Sequence, residues 1–307
     1  MDNRIVFFLG PTASGKTDIS IRMAEEFGGE IVCADSMQIY ADMEIGTAAP
    51  TKEEKGRIPH HLFNYVEPSE SYSVARYRKD AYKVIDSLLD KGTVPFVVGG
   101  SGLYLNSLMY ELDLEDDSVD EELRASLDEE YDRDPEALYR RLMSMDPDSI
   151  KRIHLNDRKR VVRRMEILLT TKKENYDFRK KDPRYRSLKL MITKDREHLY
   201  SDIDRRVDLM VESGLLDEVK TIIDKYGTFS TAFQAIGYKE LIPYLNGTEP
   251  LSKCIDDIKR ASRNLAKRQL TWFRRDEEII TLNRDSFPSE EEFIKNTEER
   301  IKAFLDV

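Results

Sequence analysis

Residues 5–9 read Ile5-Val6-Phe7-Phe8-Leu9, and residues 10–17 follow without a break as GPTASGKT. An apolar run of five with β-branched and aromatic members predicts a buried strand. The octet after it matches the GxxxxGK[ST] phosphate loop in the context where that motif has a mechanism, between a strand and a helix. Gly10 and Gly15 let the backbone close around an anion. The N–H groups of Pro11–Thr17 (Pro11 excepted) and the helix N-terminus then face it, through Thr12, Ala13, Ser14 and Gly15. Lys16 supplies a point charge, and Thr17 a hydroxyl for Mg²⁺.

The pattern extends outward as alternating strands and helices. Thr17–Phe27 is a helix, with Ile19, Met23 and Phe27 at four-residue spacing, stopped by Gly28-Gly29. Glu30–Ala34 is a second strand, ending at Asp35. Ser73–Lys91 is a helix with Tyr77, Ala81, Val84, Ile85 and Leu88 on one side. Val94–Val98 is a third strand, ending at Gly99-Gly100-Ser101. Near-continuous apolar strands alternating with helices predict an α/β fold, a P-loop-containing parallel sheet covered by helices. Leu188–Thr193 returns to the sheet. Helices follow over His198–Ser213, Leu215–Tyr226 and Lys253–Phe273, then a short strand over Glu278–Leu282 and a helix after Ser286. The core is therefore expected over 1–111 and 149–307, interrupted by an acidic helical insertion over 112–148.

The chain has 307 residues, 40% of them apolar, which is enough for one large core with an insertion. Two cysteines form no disulfide framework or cysteine zinc site, and His60-His61 is too closely spaced for a shared metal. His60 and His61 therefore read as loop or core residues. The start of the chain suggests neither signal peptide nor membrane span, and a cytoplasmic monomer is expected. Net charge is −10, which alone argues against nucleic acid, but the charge is segregated. Residues 111–136 hold 14 acids and 2 bases, 151–164 hold 7 bases and 1 acid, and 259–275 hold 7 bases and no acid. Two basic patches could hold a polyanion while the remainder keeps the chain soluble.

Ligands of open parallel sheets bind beyond the carboxyl ends of the strands. Three strand ends should meet there: Gly10–Thr17, Asp35-Ser36-Met37-Gln38 and Gly99–Gly102. Asp35 suits a general base, or a turn aspartate. Gln38 could pair an adenine edge with donor and acceptor, or lie on the surface. Ser101 follows two glycines, in a site or in a plain turn. A helix over Asp157–Lys172 sets Arg160, Arg163 and Arg164 opposite Val161, Met165, Leu168 and Leu169. The helix over 253–273 sets Arg260, Arg263, Lys267 and Arg274 opposite Ile255, Ile258, Ser262 and Leu265. Such faces are either solvated or contact phosphates. Of Arg205-Arg206, either could stabilise a leaving phosphate, or both could be a surface pair. A small-molecule kinase fits these features too, with Asp35 holding substrate and Arg160–Arg164 forming a lid.

Over nearly the whole chain the segments resemble the tRNA dimethylallyltransferases. The likeness runs through GPTASGKT, ADSMQIY (34–40), PHHL (59–62), VGGSGLY (98–104), DPDSIKRIHLNDRKRVVRR (146–164), RRVDLMVESGLLDEV (205–219), QAIGYKE (234–240) and AKRQLTWFR (266–274). Ser101 stands where that family usually has threonine, which keeps the hydroxyl. The resemblance implies transfer of a five-carbon group from dimethylallyl diphosphate to N6 of the adenine 3′ of the anticodon, in tRNAs reading codons that begin with U, with Mg²⁺. It implies catalytic roles for Asp35, Thr17, Ser101 and Arg206, with diphosphate in Gly10–Thr17. It implies tRNA contacts from Asp35, Ser36, Met37, Gln38, Ser101 and from Lys159, Arg160, Val161, Val162 and Arg163. A neighbouring possibility is an adenylate isopentenyltransferase acting on free nucleotide. The basic helices and the last two motifs favour tRNA.

Overall fold

The computed structural model describes residues 3–112, 114, 121–170, 180–228 and 231–307. The chain divides into two compact units, Met1–Tyr110 with Lys181–Val307, and Glu111–Lys180.

The first unit begins β1 (Arg4–Leu9), α1 (Lys16–Glu26), β2 (Gly29–Cys33), α2 (Glu44–Thr47), α3 (Lys52–Arg57), β3 (His60–His61), α4 (Val74–Asp90), β4 (Val94–Gly99) and α5 (Gly102–Met109). The second unit holds α6 (Glu121–Arg133), α7 (Pro135–Met145) and α8 (Arg158–Leu169). The first unit resumes with β5 (Arg186–Thr193), α9 (Arg196–Glu212), α10 (Leu215–Tyr226), α11 (Ile242–Leu245), α12 (Leu251–Phe273), β6 (Ile280–Asn283) and α13 (Glu290–Leu305). The strands form one sheet in the order β3-β2-β4-β1-β5-β6, with every pairing parallel.

Parallel strands need crossovers, and the crossovers put helices on both faces. Val6 and Phe8 of β1 pack with Phe96, Val98, Leu190 and Ile192 against Ile19 and Met23 of α1 and Phe293 and Ile301 of α13. Ile5 and Phe7, alternate to these, are equally buried and point to the opposite face. Tyr77 of α4 donates to Cys33 O at 2.9 Å, pinning that helix to the end of β2. The one strand absent from the sequence reading is β3. It is two residues long, too short for any periodicity, and it turns the His60-His61 pair into a sheet edge along Ile31 and Val32. No helix among the described residues is long and apolar enough to cross a membrane.

The insertion is larger than the 112–148 read from composition. It takes in α8, because Val161, Val162 and Met165 share one buried cluster with Leu127 and Tyr131 of α6 and Leu138 and Leu142 of α7. Composition drew the boundary where acids gave way to bases. Packing ignores that change, since the apolar stripe continues through it. Residues 113 and 115–120, and the 171–172 end of the helix predicted over 157–172, lie outside the described residues.

The charge segregation has a structural use within this unit. Arg158 pairs with Asp128 at 2.9 Å and Asp132 at 2.8 Å, and Arg164 with Asp146 at 2.5 Å. Glu166, 3% exposed, takes Arg124 at 2.7 Å and Arg163 at 3.2 Å. A buried carboxylate needs such partners. Part of the basic charge of α8 is thus neutralised inside this unit, Arg158 by acids of α6, Arg164 by Asp146 and Arg163 by Glu166.

Leu142, wholly buried between α7 and α8, anchors this cluster. Leu142→Ala should cost about 2–5 kcal/mol. Hydrogen exchange is expected to locate that loss in α6–α8 and leave β1, β4 and β5 protected as before; uniform loss of protection would contradict the division into two units.

Candidate active site

The phosphate loop starts where β1 ends. Gly15 precedes α1 with φ 81°, in the left-handed region that glycine adopts without strain. A Cβ on Gly10 would fall on Ile192 O of the neighbouring β5. Ala13, at φ 62°, bends the loop between them. Lys16 folds back so that Nζ donates to Pro11 O at 3.2 Å. Thr17 Oγ1 makes no hydrogen bond among the described residues, and Ser14 Oγ is buried without a partner.

The end of β2 supplies Asp35, half-buried. Its Oδ1 accepts from Met37 N at 2.9 Å, an Asx turn, while its second oxygen has no partner among the described residues. The turn reading and the site reading of Asp35 therefore describe two different oxygens. Ser101, at the end of β4, accepts from Ser36 N at 2.8 Å and donates to Ser36 Oγ at 3.1 Å. It braces one strand end against the other.

Helical phase separates Arg205 from Arg206. Ile203 and Val207 are buried, Arg205 is exposed beside Asp202, and Arg206 turns inward. Arg206 donates from Nη1 to Thr12 Oγ1 at 3.3 Å and from Nη2 to Ala48 O at 3.4 Å. Burial lowers its pKa from the usual guanidinium value, and Asp35 and Glu54 oppose that shift. Lys16 is lowered to about 8, first by burial and then by Arg206, against the pull of Asp35. Two cations and one carboxylate thus converge, with a net positive charge on the loop. Among the described residues no three His, Cys, Asp or Glu side chains gather to hold a metal.

Two sequence-predicted contacts are corrected. Gln38 spends both amide hydrogens on Thr47 O at 3.0 Å and Ala48 O at 2.8 Å, so only its Oε1 can meet a ligand and bidentate pairing to adenine is not available. Val161 and Val162 are core residues of the second unit, and their side chains offer nothing to a nucleic acid. Their neighbours Lys159 and Arg160 are exposed; Arg160 sits beside Asp157 at 3.3 Å.

Sequence reasoning gave no role to Glu218. Its carboxylate accepts from Ile45 N at 2.7 Å, Gly46 N at 2.8 Å and Tyr238 Oη at 2.7 Å. It thereby holds the segment that Gln38 and Arg206 grip from the other side. Gln269 was missed as well. It accepts from Thr12 N and donates to Gly100 O, each at 3.0 Å. A glutamine on the apolar stripe of α12, between Ala266 and Phe273, was the available signal.

The outer face of α12 divides in two. Lys259 pairs with Asp208 at 2.6 Å, Arg260 with Asp257 at 2.5 Å, and Arg263 with Asp204. Lys267, Arg268 and Arg274 are exposed and form no ion pair among the described residues.

The profile of the IPP transferase family matches residues 38–276, and that of the isopentenyl transferases residues 3–60. The chain belongs to the IPP transferase family. A tRNA dimethylallyltransferase of Acetivibrio thermocellus is 45% identical over 310 residues, covering 99% of each chain. One from Bacillus velezensis is 43% identical over 274 residues, 88% of this chain and 87% of that one. Among solved structures, a tRNA isopentenylpyrophosphate transferase of Bacillus halodurans is 38% identical with TM-score 0.75, covering 99% of this chain and 97% of its own. A eukaryotic dimethylallyltransferase acting on tRNA is 30% identical with TM-score 0.80, covering 98% of this chain and 78% of its own.

Lys16 sets a pH dependence. In the free protein it is protonated below about 8 and loses its charge above. An anion beside it favours the protonated form, so binding is linked to proton uptake. Inorganic diphosphate should therefore bind with net proton uptake near pH 8, measured by calorimetry in buffers of different ionisation heat. Affinity should fall as pH rises past 8, by up to about tenfold per unit from this group. Lys16→Arg, which does not titrate, should remove the share of the uptake that Lys16 contributes.

Proposed function

We propose that the chain transfers a dimethylallyl group from dimethylallyl diphosphate to the exocyclic N6 of the adenine 3′ of the anticodon, releasing diphosphate. The observation that carries this reading is the meeting of Lys16, Arg206 and Asp35 on one crevice, within a chain matched end to end by transferases so named. The kinase and free-nucleotide alternatives find no such support among those relatives.

The N6–C1 bond forms as the C1–O bond to diphosphate breaks, and the electron pair of that bond leaves with the diphosphate. The leaving group carries the developing charge. Lys16, Arg206 and the loop N–H groups other than that of Thr12, which Gln269 takes, stabilise it from fixed positions. Ser14 Oγ, buried without a partner, is a donor that such an anion satisfies. Thr17 Oγ1 and the diphosphate oxygens fit Mg²⁺, which keeps several waters and few protein ligands. When bound, the ion adds positive charge to the leaving group. The free oxygen of Asp35 accepts the amine proton as the new bond forms. Ser101 fixes Ser36 and retains a lone pair for the amine, and Gln38 Oε1 accepts beside it. The target base leaves its stack to reach this point.

The free cations of α12, with Lys159, Arg160 and Arg163 of α8, contact the tRNA backbone. Replacing Lys267, Arg268 and Arg274 together by alanine should reduce the slope of log affinity against log salt by about 2. Arg260→Ala, which removes a paired charge, should leave the slope nearly unchanged.

Label from dimethylallyl diphosphate should enter an unmodified anticodon stem-loop with Mg²⁺ and without ATP, and should not enter one carrying guanine at the target. Failure of the first transfer would sink the assignment. Asp35→Asn should lower kcat by about 10²–10⁴-fold with stem-loop binding retained; full turnover would remove Asp35 from the role of base.

A further inference from the structure

Gln269 lies on the buried face of α12, 8% exposed, and reaches two of the three strand-end segments at once. Its Oε1 accepts from Thr12 N of the phosphate loop, and its Nε2 donates to Gly100 O after β4. One partner is a donor and the other an acceptor. A glutamine amide serves both; a glutamate would set oxygen against oxygen at Gly100, and a methionine would leave both groups unpaired. Gly100 must lack a side chain for this contact, because a Cβ there would fall on Gln269 Nε2. Thr12 is also held through its side chain by Arg206 of α9. The loop is thus gripped at main chain and side chain by two helices that pack together through Leu199, Ile203 and Ala266, with Ala13 of the loop against them.

We propose that Gln269 is a positioning residue, which sets the phosphate loop against the Gly99–Gly102 turn and so determines how tightly the donor's diphosphate is held. This rests on the phosphate loop being the diphosphate site. Gln269 does not touch the reacting atoms. It keeps Thr12 N–H turned toward α12, and with it the curvature that leaves the remaining N–H groups facing the anion. It also ties the loop to the turn carrying Ser101, so donor and acceptor sides of the crevice keep one spacing.

The test titrates inorganic diphosphate into the full chain by calorimetry and measures steady-state transfer to the stem-loop. Gln269→Met should weaken diphosphate binding about tenfold, from the two buried groups it leaves unpaired. KM for dimethylallyl diphosphate should rise to the same degree, while KM for the stem-loop stays within about twofold. Gln269→Glu should be worse than methionine. Gly100→Ala should reproduce the defect alone and add little to Gln269→Ala, since its severe clash is with the glutamine amide and only a tight contact of 3.2 Å with Gly10 O remains without it. Thermal melting identifies which variants fold, and if methionine does not, Gln269→Glu and Gly100→Ala carry the comparison. Wild-type diphosphate affinity in folded Gln269→Met would overturn the proposal. Equal rises in both KM values would do so too, since they mean general loosening. Absence of diphosphate binding by the wild-type chain would overturn the reading of the loop itself, a separate result.

Discussion

Two partly buried cations, Lys16 and Arg206, act on one another at the phosphate loop. Lys16 and Arg206 each have their pKa lowered by burial, and Arg206 lowers Lys16 further. Asp35, with a single unengaged oxygen, opposes both, and Glu54 also opposes Arg206. Like charges in such a place cost free energy unless an anion joins them. The rest of the first unit can be understood as the structure that keeps them there. A diphosphate lowers their repulsion, so the pair favours binding of that anion.

The bracing comes from polar side chains set in apolar layers. Thr12 is the point where it concentrates, with Gln269 on its N–H and Arg206 on its hydroxyl. Gln38 holds the Thr47 and Ala48 carbonyls, Arg206 shares that of Ala48, and Glu218 with Tyr238 holds 45–46. These groups take their partners from distant elements, so a site built on loops acquires the rigidity of the helices. This agrees with what electrostatic stabilisation requires, donors fixed before charge develops.

An acidic protein that binds tRNA poses an electrostatic problem, and the structure resolves much of it by pairing. The acids of α6 and the 146 position neutralise Arg158 and Arg164 of α8, and Glu166 neutralises Arg124 and Arg163. Arginines that looked like an RNA surface serve the fold of the second unit as well. On α12 the same sorting happens along one helix, paired at Lys259–Arg263 and, among the described residues, without an ion pair at Lys267, Arg268 and Arg274. Basic residues counted by sequence overstate the charge a polyanion meets.

The sequence by itself determined a parallel sheet, its buried strands other than β3 and the phosphate loop, because continuous apolar runs, helical spacing and the glycines of GPTASGKT are local properties. Helix ends came within a few residues for the same reason. Asp35 and the strand ends were also legible, since parallel strands bring their carboxyl ends to one side. What only the tertiary structure decided was partnership. That Arg206 and not Arg205 faces the loop depends on how α9 is rolled onto α12. That Gln38 has no amide hydrogen to offer depends on the 47–48 carbonyls folding back over it. The true edge of the insertion follows packing of Val161 and Met165, not the change of charge at 149. Gln269 and Glu218 act across separations of 257 and 173 residues, and a hydrogen bond at that distance along the chain leaves no periodicity to read.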